Sequence, residues 1–238
     1  MEINQICGLI GLLILIILTI LVHSKEFKKE RVFNPIKFIS RCAIFGALSA
    51  ILYTIPIFKF SIPVLFPSFL EIHLDEIPAF ICGFAYGPLS GFYVIAIKTL
   101  VKLVISGSHT FLIGEISDII LSSVYVVSVT FIYKKKRNLK GVAIGFGIGT
   151  VIQLIAAMLV NVYILIPAYV TMIGEKTLLA MMSGVKLFHI TDVRWSYAFL
   201  GVLPFNFVKN IIVIVITFLL YKALHIFLRR FADIKPKE

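Results

Sequence analysis

Lys98, Lys102 and Lys209 stand inside stretches that are otherwise apolar. A charged side chain costs about 2.5–3.5 kcal/mol at the centre of a membrane helix, so each needs a partner, a route to the surface or a ligand. Lys209 follows Pro204-Phe205-Asn206, and Pro204 suits a first helical position. Asn206, Lys209 and Asn210 then fall at i, i+3 and i+4 and share one face. At 1.5 Å rise per residue Lys209 lies about 7.5 Å below Pro204, within snorkelling reach of the headgroups. The two asparagines have no such outlet, so we read the three as a polar ridge that contacts a ligand. Asn161 sits midway through another apolar helix, ahead of Tyr163, Pro167 and Tyr169. A buried amide needs partners; a helix–helix hydrogen bond or a ligand would serve equally. Lys98 and Lys102 are spaced i, i+4 near a helix end, where snorkelling is the stronger reading and is expected of Lys102. Glu115 and Asp118 open the next helix. Asp118 there complements the helix dipole, whereas Glu115 either pairs with a lysine or accepts from a ligand. Glu71, His73, Asp75 and Glu76 cluster before Ile77-Pro78. With a single histidine and no HxxxH or HExxH, this is no metal site; Asp75 and Glu76 read as caps of the helix that Pro78 begins.

These groups suit binding, not catalysis. No GxSxG, Walker A or CxxC motif occurs, and Gly145-Phe-Gly147-Ile-Gly149 lacks the βαβ context of a dinucleotide fingerprint. We therefore expect no catalytic and no metal residues. Composition agrees: 60% of residues are hydrophobic, 15% are charged and the mean hydropathy is +1.03. A soluble domain has roughly 45–50% apolar and about 25% charged residues. That excludes an ordinary cytosolic enzyme, a disordered tail and a secreted disulfide scaffold. Cys7, Cys42 and Cys82 lie in apolar stretches and read as small buried hydrophobes.

The elements that must position the polar groups are membrane helices. Residues 6–22 form one apolar run, read as a retained signal-anchor because the start MEINQ is not basic. Further spans are expected over 38–56, 76–86, 88–105, 111–133, 142–170 and 200–228, the second and third separated at Tyr86-Gly87-Pro88. Residues 57–75 read as a structured loop, and Trp195 and Tyr197 suit an interfacial belt. The chain is thus expected to be an all-α integral membrane protein. A six-helix bundle is preceded by one extra N-terminal transmembrane helix. Residues 1–36 form the anchor helix with a basic cytoplasmic linker, and 37–238 form the substrate-binding membrane domain.

The net charge is +11, and sixteen of the 23 Lys and Arg fall in 25–41, 134–140 and 222–238. With six spans in the main body all three stretches lie on one side, which the positive-inside rule makes the cytoplasm. The chain is then a multi-pass cell-membrane protein with a cytoplasmic C-terminus and an external N-terminus. The charge is absorbed by topology and by the headgroups of the lipid bilayer, and no nucleic-acid partner is expected. Loops 57–75, 106–110 and 171–197 face outward, and two of them are long, which points to recognition at the outer face. Gly141, Gly145 and Gly149 make one small-residue packing face. Ala43, Gly46, Ala47 and Ala50 make another, which can pack internally or dock a partner.

Several segments together resemble a known family. Leu70-Glu-Ile-His-Leu-Asp-Glu-Ile-Pro-Ala-Phe80, Gly83-Phe-Ala-Tyr-Gly-Pro-Leu-Ser-Gly91, Ile97-Lys98 and Gly114-Glu-Ile-Ser-Asp118 resemble the substrate-binding S components of energy-coupling factor (ECF) transporters. Asn161-Val-Tyr-Ile-Leu-Ile-Pro167 and Pro204-Phe-Asn-Phe-Val-Lys209 are most similar to its riboflavin-binding members. The resemblance covers roughly 37–228. Asn210, Thr99 and His73 depart from it, standing where a glycine, an asparagine and a carboxylate are usual.

The resemblance implies a vitamin-binding subunit without catalytic activity or cofactor, with riboflavin as the transported ligand. It implies association with a transmembrane coupling protein and two cytoplasmic ATPases. It places the ligand's polar contacts at Asn161, Asn206 and Lys209, with Glu115 as a further candidate, and its apolar contacts at Leu65 and Phe66 of the outer loop. It makes Ala43, Gly46, Ala47 and Ala50 the docking face. An S component for another vitamin, such as pantothenate or folate, is the alternative. A small membrane enzyme acting on lipid head groups would want carboxylates or histidines at the cytoplasmic interface, where this chain has lysines and arginines. A channel would want polar groups along a whole pore.

Overall fold

The computed structural model describes residues 35–67, 69–108, 112–182 and 192–231, with side chains described to residue 223. The helix expected over 6–22 lies outside the described residues. Helix α1 (Pro35–Thr54) leads into a 3-10 turn at Pro56–Phe58. Two short strands come next, β1 (Lys59–Ser61) and β2 (Glu71–His73), paired antiparallel with Lys59 opposite His73 and Ser61 opposite Glu71. The loop expected over 57–75 is therefore a small hairpin, closed at its side by Lys59 Nζ and Glu71 Oε2 at 3.1 Å.

Helix α2 (Glu76–Tyr86) has 11 residues and is almost wholly buried, as a short central helix must be. Gly87 ends it at φ +103°, a conformation open to glycine and costly for other residues. Pro88 then begins α3 (Pro88–Ser106), whose first position needs no N–H. Helix α4 spans Ile113–Lys135 and α5 Leu139–Val160. Asn138 caps α5 by accepting from Gly141 N at 2.9 Å. The two helices approach closely because Gly145 and Gly149 face Val129, where any side chain on them would collide. This is the packing expected of the glycine repeat.

The last two long segments each carry a π-helical turn. Asn161–Leu165 joins α5 to α6 (Ile166–Ile173). After α7 (Glu175–Met182) and the short α8 (Trp195–Tyr197), Ala198–Val202 leads into α9 (Leu203–Phe231). Both π turns end two residues before a proline, Pro167 and Pro204. Proline has no N–H to offer the preceding turn and crowds its carbonyl, so the helix widens there. The two π turns pack against each other.

Among the described residues, five segments are long and apolar enough to cross a membrane: Pro35–Thr54, Pro88–Ser106, Ile113–Lys135, Leu139–Ile173 and Trp195–Ala223. With α2 these match the six expected spans. An aromatic core of Phe80, Phe84, Tyr125, Tyr133, Phe146 and Tyr221 fills the bundle away from the hairpin. Tyr197 is 2% exposed and packs with Ala157, Ile166 and Met182. Of the expected belt pair only Trp195, at 46%, is on the surface, because Tyr197 stands on the inner face of the last segment. Cys42 and Cys82 are buried free thiols; Cys7 lies outside the described residues.

Candidate functional site

At the hairpin end of the bundle, five elements turn ionisable or amide side chains toward the interior. Lys98 of α3 is fully buried, its Nζ 2.6 Å from Asp75 Oδ2 and 2.6 Å from Asp118 Oδ2. Its ammonium also lies 4.9 Å from the centre of the Tyr53 ring, an added cation–π contact. Lys102, one turn on, pairs with Glu115, which also accepts from Ser108 Oγ at 2.9 Å. Neither lysine snorkels. Both stand on the face of α3 turned to α4, where carboxylates are within reach and the headgroups are not needed.

Lys209 of α9 donates to Glu76 Oε1 at 2.8 Å. Ser122 Oγ lies 2.9 Å from the same oxygen and 3.3 Å from Asp118 Oδ1, so its hydroxyl joins the two ion-pair groups. The Asp75 and Glu76 side chains therefore do not cap α2: Asp75 is at the N-cap position but makes no side-chain cap bond. Their desolvation is offset by opposite charge, which a cap bond would not supply. Asp118 likewise answers Lys98 besides opening a helix.

The asparagines face another way. Asn206 Oδ1 accepts from Gln153 Nε2 at 2.9 Å, and Asn210 Nδ2 donates to Gln153 Oε1 at 2.8 Å. The ridge predicted on α9 thus divides: the amides clasp Gln153 of α5, and Lys209 turns to Glu76. Asn161 opens the first π turn and donates to Ala157 O at 2.8 Å, within its own helix. Phe66 is 3% exposed and meets Phe205 edge-on at 5.4 Å, with Leu65 beside it. The hairpin loop is thereby pinned onto the start of α9, next to Asn206 and Lys209. Glu115 stands apart from that group, on Lys102.

His73 of β2 stacks on Tyr53 with ring centres 4.5 Å apart, and its buried Nδ1 has no partner. Burial holds its pKa below the usual 6.5, so it is neutral near pH 7. Gln153, Ser122 and Glu76 as the partner of Lys209 escaped sequence reasoning. Gln153 had a signal, an amide in an apolar span; the pairing of Glu76 with Lys209 had none, because the two are 133 residues apart.

The small-residue face of α1 also divides. Ala43 and Ala47 are exposed, whereas Gly46 sits against Ile97 of α3 and Ala50 is 2% exposed. Gly46 and Ala50 are thus buried within the chain, and of the four small residues Ala43 and Ala47 are the exposed pair. Among the described residues no three His, Cys, Asp or Glu side chains are grouped as metal ligands.

Geometry and comparison meet here. The family profile "ECF transporter, substrate-specific component" matches residues 37–221. The chain is 28% identical over 185 residues to the riboflavin transporter FmnP of Bacillus subtilis, covering 77% of this chain and 90% of that protein. It is 27% identical over 193 residues to the riboflavin transporter RibU of Staphylococcus aureus, covering 80% and 93%. A solved structure of the S component of a bacterial ECF transporter superposes with a TM-score of 0.62 at 24% identity, covering 83% of this chain and all of that one.

Proposed function

The chain belongs to the substrate-specific components of ECF transporters, and we propose that within that family it captures riboflavin at the outer face of the cell membrane. It is a transport subunit and not an enzyme. The observation that carries the reading is the set of amide and ammonium groups held under the hairpin, in a chain whose relatives are riboflavin transporters. An isoalloxazine is flat and largely apolar, with a polar dione edge and a chain of hydroxyls. It calls for an apolar slot with a few placed polar groups. Leu65, Phe66 and Phe205 supply apolar surface at the hairpin end; Asn206 and Lys209 supply polar groups beside it, with Asn161 on the adjoining π turn and Glu115 further off.

The hairpin end then faces outward and the basic stretch 134–140 faces the cytoplasm, as does the C-terminus. Transport takes a transmembrane coupling protein and two ATPases, docked through the exposed Ala43 and Ala47 of α1. The N-terminus is external if 6–22 crosses the membrane once. Purified in detergent, the protein should be yellow with flavin absorbance, or should bind added riboflavin in calorimetry. A colourless preparation that gives no binding heat would remove the reading.

A further inference from the structure

Glu76 opens α2 and is 1% exposed. Its Oε1 is fully used, by Lys209 Nζ at 2.8 Å and Ser122 Oγ at 2.9 Å. Its Oε2 is buried without a hydrogen-bond partner. A carboxylate oxygen only accepts, and one left unmet inside an apolar bundle carries its whole desolvation penalty. The residue after Lys209 repeats the pattern: Asn210 donates to Gln153, while its Oδ1 is buried and unmet. None of the surrounding ammoniums reaches this oxygen. Asp75, Glu76, Glu115 and Asp118 are four carboxylates held by three ammoniums, Lys98, Lys102 and Lys209, each already engaged. Among the described residues, carboxylates thus outnumber ammoniums at this end of the bundle, and Glu76 Oε2 is the carboxylate oxygen left buried and unmet.

We propose, resting on the riboflavin reading above, that Glu76 is itself a ligand-binding residue: one carboxylate oxygen anchors Lys209 while the other accepts an N–H or O–H of the bound ligand. The site thereby selects a ligand that brings a donor to this point. Riboflavin offers two kinds, the imide N–H and the ribityl hydroxyls, and either satisfies the same oxygen.

Flavin fluorescence titrations on the full chain in detergent separate these possibilities, with riboflavin, 3-methylriboflavin, which has no imide N–H, and lumiflavin, which has no ribityl chain. Glu76→Gln keeps the shape and a carbonyl for Lys209 but puts an amide donor where Oε2 stood. We expect it to weaken riboflavin binding at least tenfold, and to cost less than threefold with whichever analogue lacks the donor. An equal loss for all three ligands would show that Glu76 only positions Lys209, and no loss would show that it does neither; both overturn the proposal. Should Glu76→Gln not fold, Lys209→Met is compared with the double variant E76Q/K209M, which strands no ammonium. The same ligand dependence is expected, and equal affinities overturn the proposal. A wild-type chain that binds none of the three ligands refutes the riboflavin reading itself, a result distinct from a wild-type chain that binds and a variant that binds alike.

Discussion

Lys98 shows what an ammonium does when the solvent around it is hydrocarbon. Two carboxylates at 2.6 Å and a tyrosine ring replace its hydration shell, since removing one partner of a buried pair costs about 3–5 kcal/mol. Lys209 has one carboxylate, Glu76, and 13% of its side chain remains accessible. Lys102, on Glu115, is alike with 14% accessible; of the two, Lys209 is the one beside the hairpin contact of Phe66 with Phe205. Lys209→Ala and Asn206→Ala should each weaken riboflavin binding by ~1–3 kcal/mol, the scale of an unpaired buried polar group, read by fluorescence titration; unchanged affinity in both would misplace the site. His73 carries a pH dependence. Its folded-state pKa is depressed below 6.5, chiefly by burial, so the unfolded chain takes up the proton first. Its contribution is intact above about 6.5 and is lost as pH falls through the folded value. The melting temperature should therefore drop between pH 7.5 and pH 5.5, and His73→Phe, which keeps the stack on Tyr53, should flatten that slope. An identical slope in the variant would place the titration elsewhere.

At the scale of elements, α1 presents two surfaces. Its inner face, with Gly46 and Ala50, lies against α3 and admits no bulk because Ile97 already fills the space. The outer face, with Ala43 and Ala47 at i, i+4, is open. Ala47→Trp should leave thermal stability and riboflavin affinity unchanged while abolishing riboflavin uptake by cells; continued uptake would free that face from the docking role. The paired π turns show a second way in which an element serves the site. Each precedes a proline, and each adds one residue to its turn, rotating the residues beyond it by about 100° relative to an α-helix. Asn161 and Pro204-Phe205-Asn206 stand at or just beyond those adjustments, and π turns are frequent at functional sites.

At the scale of the whole molecule, among the described residues, the buried ion pairs and the ring cluster from Phe80 to Tyr221 occupy different parts of the bundle, the ion pairs at the hairpin end. The proposed orientation puts the first toward the outside, which cysteine labelling checks directly. Val64 on the hairpin loop is 81% exposed, and Arg137 lies in the basic stretch after α4. A membrane-impermeant maleimide applied to intact cells should label Val64→Cys and spare Arg137→Cys; the opposite pattern would invert the subunit.

The helical class, the positions of the spans and the identity of the polar residues could be read from the chain, because hydropathy and proline position act locally. The family resemblance needed only short motifs in order. Partner choice was different. Lys98 finds Asp75 and Asp118 across 23 and 20 residues, and Lys209 finds Glu76 across 133; no periodicity within one helix encodes such a meeting. Nor did hydropathy tell Gly46 from Ala47. In a membrane the lipid is as apolar as the bundle interior, so the pattern that separates inside from outside in a soluble helix is silent here. Only the packing of α1 on α3 decided which small residues were spent on the fold and which were left exposed.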